Sequence, residues 1–350
     1  MRPIDLGLGH LRLDGAAGPA EALVGEYGPA QGVDALRDAV AEWERTPREG
    51  VAVTTGASLG LAATLATLPR GARLLCPRPY YPAYPRLAEA FGLEVAFYPL
   101  RAEDGWRPDP DEIARLLRRP AAAVLWNAPA NPTGAVCDAA RMEAIGETFT
   151  RHPDLLLISD EVYAHFVYDG SPAALHPRHA RTVRVRSFSK VFGLAGERVG
   201  YVLAEPGEAD AISRAHWMLA MSPPATGQLR ALAALRSDPG PRLAALVSRL
   251  CAQRDAAAAI LRRCARVSFA SPPAGFFHWL RVGGGARDDA LAERCATRGG
   301  VHVLAGTAFG AADGAYLRAS FAVPPAELTE GFERLAAFLE ADASPPGPRR

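Results

Sequence analysis

Between about residue 30 and residue 235, short apolar runs alternate with longer stretches whose apolar residues recur at helical spacing, the pattern of a mainly parallel sheet covered by helices. The runs Val51–Thr54, Arg73–Cys76, Glu94–Phe97, Ala123–Trp126, Leu155–Ser159, Val183–Ser187 and Gly200–Leu203 predict seven strands of one large sheet. Between them, Gly32–Glu44, Leu59–Leu68, Pro85–Phe91, Pro110–Arg118 and Asp138–Thr150 predict helices. Past Pro239-Gly240-Pro241 the pattern changes. An Ala- and Arg-rich helix over Arg242–Arg263 precedes strand-like pieces at Gly275–Arg281 and Ala315–Phe321, which predicts a smaller second domain. The Pro- and Arg-rich tail, residues 344–350, is expected to fray.

A length of 350 residues suits two such domains. With 49% hydrophobic and 22% charged residues the chain has ordinary globular usage, which excludes a disordered or fibrous protein. A formal net charge of +1 leaves no overall electrostatic footprint for nucleic acid or a membrane surface. Cys76, Cys137, Cys251, Cys264 and Cys295 form no CxxC pair and no metal-ligand spacing with histidine, so they read as reduced, mostly buried thiols. The first residues lack the basic start and apolar run of a signal peptide, and no run reaches the roughly 18 apolar residues of a membrane helix. A cytoplasmic location is the expectation.

The chemistry-bearing residues cluster at the junctions between strands and helices. Ser187-Phe188-Ser189-Lys190 ends a strand, and Arg198 follows eight positions after the lysine, inside Gly196-Glu197-Arg198-Val199-Gly200. A lysine there, with hydroxyls before it and a fixed cation after it, can hold an aldehyde cofactor covalently and its phosphate non-covalently. Taken alone, such a lysine is more often a surface residue. Asp160, in Asp160-Glu161-Val162-Tyr163, follows an apolar strand, where a poorly solvated carboxylate needs a cationic partner such as a protonated pyridine nitrogen. An Asp that caps the next helix is the alternative. The loop Asn127-Ala128-Pro129-Ala130-Asn131-Pro132-Thr133-Gly134 is either a rigid turn or a presenter of an amide to a ligand oxygen. Thr55-Gly56-Ala57-Ser58 stands between a strand and a helix, where free backbone N–H groups and the helix dipole can face an anion.

Together and in this order, these motifs resemble the fold-type I enzymes that use pyridoxal 5′-phosphate (PLP), specifically the class I/II aminotransferase family, over nearly the whole chain. The resemblance implies an α/β, aspartate aminotransferase-like fold: a large domain over 26–235 with a seven-stranded mainly parallel sheet flanked by helices, a smaller α+β C-terminal domain over 236–343, and residues 1–25 packed with the small domain. It implies that Lys190 carries PLP as a Schiff base and moves the proton between Cα and C4′, and that Asp160 partners the pyridine nitrogen. Tyr163 and Asn131 would bond the 3′-oxygen, and Tyr81 rather than Tyr80 would stack on the ring. The phosphate would lie on Ala57, Ser58, Ser187, Ser189 and Arg198. Arg318 would grip the substrate α-carboxylate in a bidentate pair, with Gly9 closing the pocket over it and Asn131 beside it. Tyr27 would reach the phosphate of the other subunit, implying a homodimer with shared active sites.

Two features depart from that pattern. The arm before Asp5 is short, and His10 directly follows Gly9, as a substrate contact, a proton donor or an exposed strand-end histidine. Transamination between an α-amino acid and a 2-oxo acid is the leading expectation. A lyase, cyclase or oxygen-using oxidase working through the same Cα carbanion is the alternative. A non-catalytic PLP-binding module of a transcription regulator would need a DNA-binding domain, for which residues 1–25 are too short. No residue fixes a side-chain preference; Trp126, Trp217 and His10 are candidates for lining the pocket.

Overall fold

The computed structural model describes residues 4–5, 28–169 and 175–342. Gly9, His10, Tyr27 and the tail 344–350 lie outside them. The large sheet has seven strands: β2 (Val51–Thr54), β3 (Arg73–Arg78), β4 (Glu94–Pro99), β5 (Ala123–Asn127), β6 (Leu156–Asp160), β7 (Thr182–Ser187) and β8 (Gly200–Leu203). The short β1 (Ile4–Asp5) precedes them. Their spatial order is β2-β8-β7-β6-β5-β3-β4, with every neighbouring pair parallel except those that β8 makes with β2 and β7. The expected seven strands and the expected mainly parallel sheet are therefore present, each strand within two residues of the predicted bounds.

Parity along these strands explains both the core and the site. Leu125 on β5, Leu156 and Ile158 on β6, and Val183 and Val185 on β7 fill one face of the sheet, and Val124, Trp126 and Leu157 fill the other. Strands buried on both faces read as continuous apolar runs, which is why they were visible in the sequence. Because side chains alternate, the next residue on the first face after Leu125, Ile158 and Val185 is Asn127, Asp160 and Ser187 respectively. Each of the three strands thus ends in a polar group at its carboxyl end, on the edge where open α/β sheets bind ligands.

The second sheet is antiparallel, in the order β12-β13-β10-β9, where β9 is Val267–Ser268, β10 Phe277–Val282, β12 Leu304–Ala305 and β13 Tyr316–Ser320. Helices Pro239–Leu261 and Pro325–Ala341 lie against each other and share a core with this sheet that includes Leu250, Leu261, Phe332 and Leu335. β1 pairs in parallel with β11 (Val301–His302). Segments flanking the two sheets meet closely beside the carboxyl edge. Gly134, at φ +72°, is so near the second sheet that a Cβ there would stand 2.4 Å from the carbonyl oxygen of Ala274. The backbone N–H of Tyr80 donates to the carbonyl of Phe309 at 2.9 Å.

Candidate active site

At that edge lies a cavity of about 380 Å3. It is lined by Ala57 and Ser58 after β2, Tyr81 after β3, Asn127 and Asn131 at the end of β5, Asp160, Val162 and Tyr163 at the end of β6, and Ser187, Ser189 and Lys190 at the end of β7. Arg198, before β8, and Arg318, on β13, complete the ring of charge.

Asp160 is buried at the end of its strand. One carboxylate oxygen accepts from the Tyr84 hydroxyl at 2.6 Å, the other from the Val162 N–H at 3.2 Å. Burial raises its pKa despite these two donors, so a cation brought against it would be needed to hold it fully ionised. Asn127 braces the neighbouring loop: its amide donates to the carbonyl of Asp160 at 3.0 Å and its oxygen accepts from the Asn131 N–H at 2.7 Å. The Ala128–Pro129 and Asn131–Pro132 bonds on either side of this brace are cis.

The Asn131 side-chain oxygen in turn accepts from Arg318 at 2.8 Å. Arg318 is 5% exposed, with its guanidinium 3.9 Å from the Phe277 ring centroid and 4.7 Å from that of Phe309. Burial pulls its pKa down to about 10, and two faces of aromatic carbon stabilise the cation that remains. Lys190 is lowered as well. Burial, then the like charges of Arg318 and Arg198, lower its pKa to about 8, which leaves a sizeable fraction of free amine near neutrality.

The anion side is built from backbone. Helix Gly56–Ala66 starts at the cavity, and its first N–H groups lack partners within the helix. Gly56, at φ +72°, leaves room for Arg198, since a Cβ there would stand 2.6 Å from its guanidinium. Ser187 caps the short helix Phe188–Val191 by accepting from the Ser189 N–H at 3.1 Å, so its hydroxyl proton remains to be given to a ligand. Ser58 and Arg198 are exposed at the rim. The donor set of open N–H groups, two hydroxyls and a guanidinium suits a phosphate dianion, and the amine, carboxylate and flat Tyr81 ring suit a pyridine aldehyde. The residues present fit PLP.

Of the residues to which the resemblance gives a part in binding the cofactor or the α-carboxylate, every one within the described residues lies on this cavity. Tyr80 does not: it stacks on Phe97 at 5.2 Å and 24°. Trp126 and Trp217 do not line the cavity either. Trp126 precedes Asn127 and so faces the opposite side of the sheet, where its indole N–H donates to the Leu175 carbonyl. Trp217 is 45% exposed on the outer helix Pro206–Ala220. The reading of the sequence missed Tyr84, Leu61 and Val162, and took Asn127 only as part of a loop. Leu61 sits in an apolar stretch that packing alone would explain, Val162 stands inside the Asp160–Tyr163 motif, and the hydroxyl of Tyr84 is the signal that could have singled it out.

An aldehyde cofactor with a phosphate handle, set opposite an amino acid, calls for these groups together, and the fold and cavity suit a PLP-dependent transferase. The model of the family "aminotransferase class I and II", whose members generally work with PLP, matches residues 20–335, and the chain belongs to that family. It is an aminotransferase. It is 32% identical over 321 residues to the arginine–pyruvate transaminase of Pseudomonas aeruginosa, covering 89% of this chain and 81% of that one. It is 29% identical over 325 residues to the aspartate/prephenate aminotransferase of Thermus thermophilus, covering 90% and 83%. The crystal structure of the aromatic aminotransferase from Pyrococcus horikoshii superimposes with a TM-score of 0.87 at 26% identity, over 97% of this chain and 96% of that one. Nothing in these comparisons supports a lyase, cyclase or oxidase.

Proposed function

We propose that Lys190 carries PLP and that the enzyme moves an amino group between an α-amino acid and a 2-oxo acid in the cavity described above. The observation that carries this reading is the convergence of Lys190, Asp160, Arg318 and the Gly56–Ser58 turn on one cavity. PLP, when bound, supplies an electron sink for the charge left at the substrate Cα. The chain does the rest. Lys190 Nζ, its pKa lowered towards neutrality, takes the proton from Cα and returns it on the other side of the transfer, at C4′. Asp160 holds the proton on the pyridine nitrogen, with Tyr84 supporting the carboxylate. Tyr163, kept protonated by burial, and Asn131 donate to the 3′-oxygen. Ala57, Ser58, Ser187, Ser189 and Arg198 bind the phosphate, and Tyr81 lies on the ring.

Arg318 grips the α-carboxylate, the group that arginine, aspartate and the aromatic amino acids of the named relatives share. Gly9 and His10, the substrate-side candidates read from the sequence, lie outside the described residues. The large domain spans 26–235 and the small one 236–343, and the pairing of Ile4–Asp5 with β11 supports placing the start of the chain with the latter.

The enzyme works as a homodimer in which Tyr27 of each subunit completes the other's phosphate site. Supporting this are the exposed rim residues Ser58 and Arg198 and the exposed apolar run Trp217 (45%), Met218 (77%), Leu219 (46%) and Met221 (37%), which a partner surface would cover. A cytoplasmic setting suits five cysteines that all stand as free thiols. The test is a single-turnover absorbance screen of the PLP-loaded enzyme against individual amino acids without any 2-oxo acid, in air and without oxygen. Stoichiometric conversion of the cofactor to its amine form supports transamination. Turnover that continues without an acceptor refutes it.

A further inference from the structure

The anion cup is held from behind by a side chain that the chemistry above does not use. His216 sits on helix Pro206–Ala220, which packs against helix Gly56–Ala66 and β2, and it is fully buried. Its Nε2 lies 2.9 Å from the backbone nitrogen of Thr55 and 3.2 Å from the Thr55 hydroxyl. A backbone N–H can only donate, so Nε2 must be the acceptor, and the ring proton resides on Nδ1. The imidazole is therefore neutral, a state that burial favours by lowering its pKa.

Thr55 is the N-cap residue of the helix whose next two members, Gly56 and Ala57, form the cup, and its own side chain makes no capping bond. The turn is fastened at two further points. The Thr54 hydroxyl donates to the Gly56 carbonyl at 3.0 Å, and Gly200 pairs with Thr54 so closely that a Cβ on it would stand 2.6 Å from the Ala57 nitrogen. The bond to His216 fixes the direction of the first peptide of the turn and thus the direction in which the following N–H groups open.

We infer that His216 is a positioning residue for the cofactor phosphate: a neutral acceptor that aims the Thr55–Ser58 turn at the anion without touching it. This rests on the reading of the cup as the phosphate site of PLP. Removing the acceptor leaves the half-buried Thr55 N–H unpaired, and the turn escapes by rotating away from its phosphate-binding orientation. Pyridoxal, which has the ring and aldehyde but no phosphate, should not sense the change.

The experiment measures equilibrium binding of PLP and of pyridoxal to the apoenzyme for wild type, His216→Leu, His216→Phe and His216→Gln, together with competition by inorganic phosphate. The Leu and Phe variants fill the space of the ring without an acceptor, Leu at about its volume and Phe above it, and Gln restores an acceptor. The inference predicts that Leu and Phe weaken PLP and phosphate by roughly 5- to 100-fold, leave pyridoxal unchanged, and that Gln recovers most of the loss. A PLP-to-pyridoxal ratio that stays at the wild-type value in both apolar variants overturns the inference. So does an equal loss for both ligands with a fallen melting temperature, which marks His216 as packing only. Wild-type enzyme that binds pyridoxal as tightly as PLP overturns the cup itself.

Discussion

Replacing Arg318 by leucine should separate substrate recognition from every other task of the site. The guanidinium is 5% exposed, packed between Phe277 and Phe309, and bonded to Asn131 at 2.8 Å, so it is held in place before any substrate arrives. A carboxylate paired with it is removed from water on both sides, and truncating one partner of such a pair costs about 2–5 kcal/mol. At about 1.36 kcal/mol per decade, that is roughly a 30- to 5000-fold fall in kcat/KM for an α-amino acid. Leucine fills most of the space between the two phenyl rings, which limits the packing loss. The assay is the absorbance change of the cofactor in the first half-reaction, run with an amino acid and with the amine that lacks its α-carboxylate. The account predicts a large loss for the acid and nearly none for the amine. Equal losses for both, or no loss for the acid, would refute the role given to Arg318.

Two further outcomes follow from the groups around it. Tyr84→Phe removes a 2.6 Å bond to a buried carboxylate, so the Asp160 pKa should rise further and kcat should drop by about 1–3 kcal/mol in barrier, with little change in KM; an unchanged kcat would release Tyr84 from this role. The rate at which apoenzyme captures pyridoxal should rise with pH through about 8 and then level off, because the reactive form of Lys190 is the neutral amine and burial with two nearby arginines lowers its pKa. In Arg318→Leu one repelling cation is gone, so that midpoint should move upward; a midpoint that stays put contradicts the electrostatic origin of the shift.

The parts of this molecule that were legible in the sequence are those that local rules decide. β5, β6 and β7 announce themselves because both faces are buried, and a strand covered on both sides has no polar alternation to obscure it. Asp160 could be marked because it ends such a run with a group that burial would otherwise penalise, and Asn131, Lys190 and Arg198 because they stand in short motifs at the strand-to-helix junctions. What could not be read is what only the tertiary arrangement creates. Tyr84 lies within an amphipathic helix, one residue before the predicted helix start, and nothing local says that its hydroxyl reaches a carboxylate 76 positions later. His216 meets Thr55 across 161 positions. Trp126 was misjudged as a pocket residue although strand parity, once Asn127 is set towards the cavity, sends it to the other face.

The central claim is that Lys190 holds the cofactor, and covalent mapping tests it most directly. The PLP-loaded enzyme is reduced with borohydride, digested, and searched by mass spectrometry for the pyridoxyl-modified peptide, with Lys190→Ala treated alongside. The account predicts one modified site, at Lys190 in the peptide containing Ser187-Phe188-Ser189-Lys190, with no fixed label and no visible absorption of bound cofactor in Lys190→Ala. A stoichiometric label on another residue, or an alanine variant that keeps both its colour and its turnover, would contradict it.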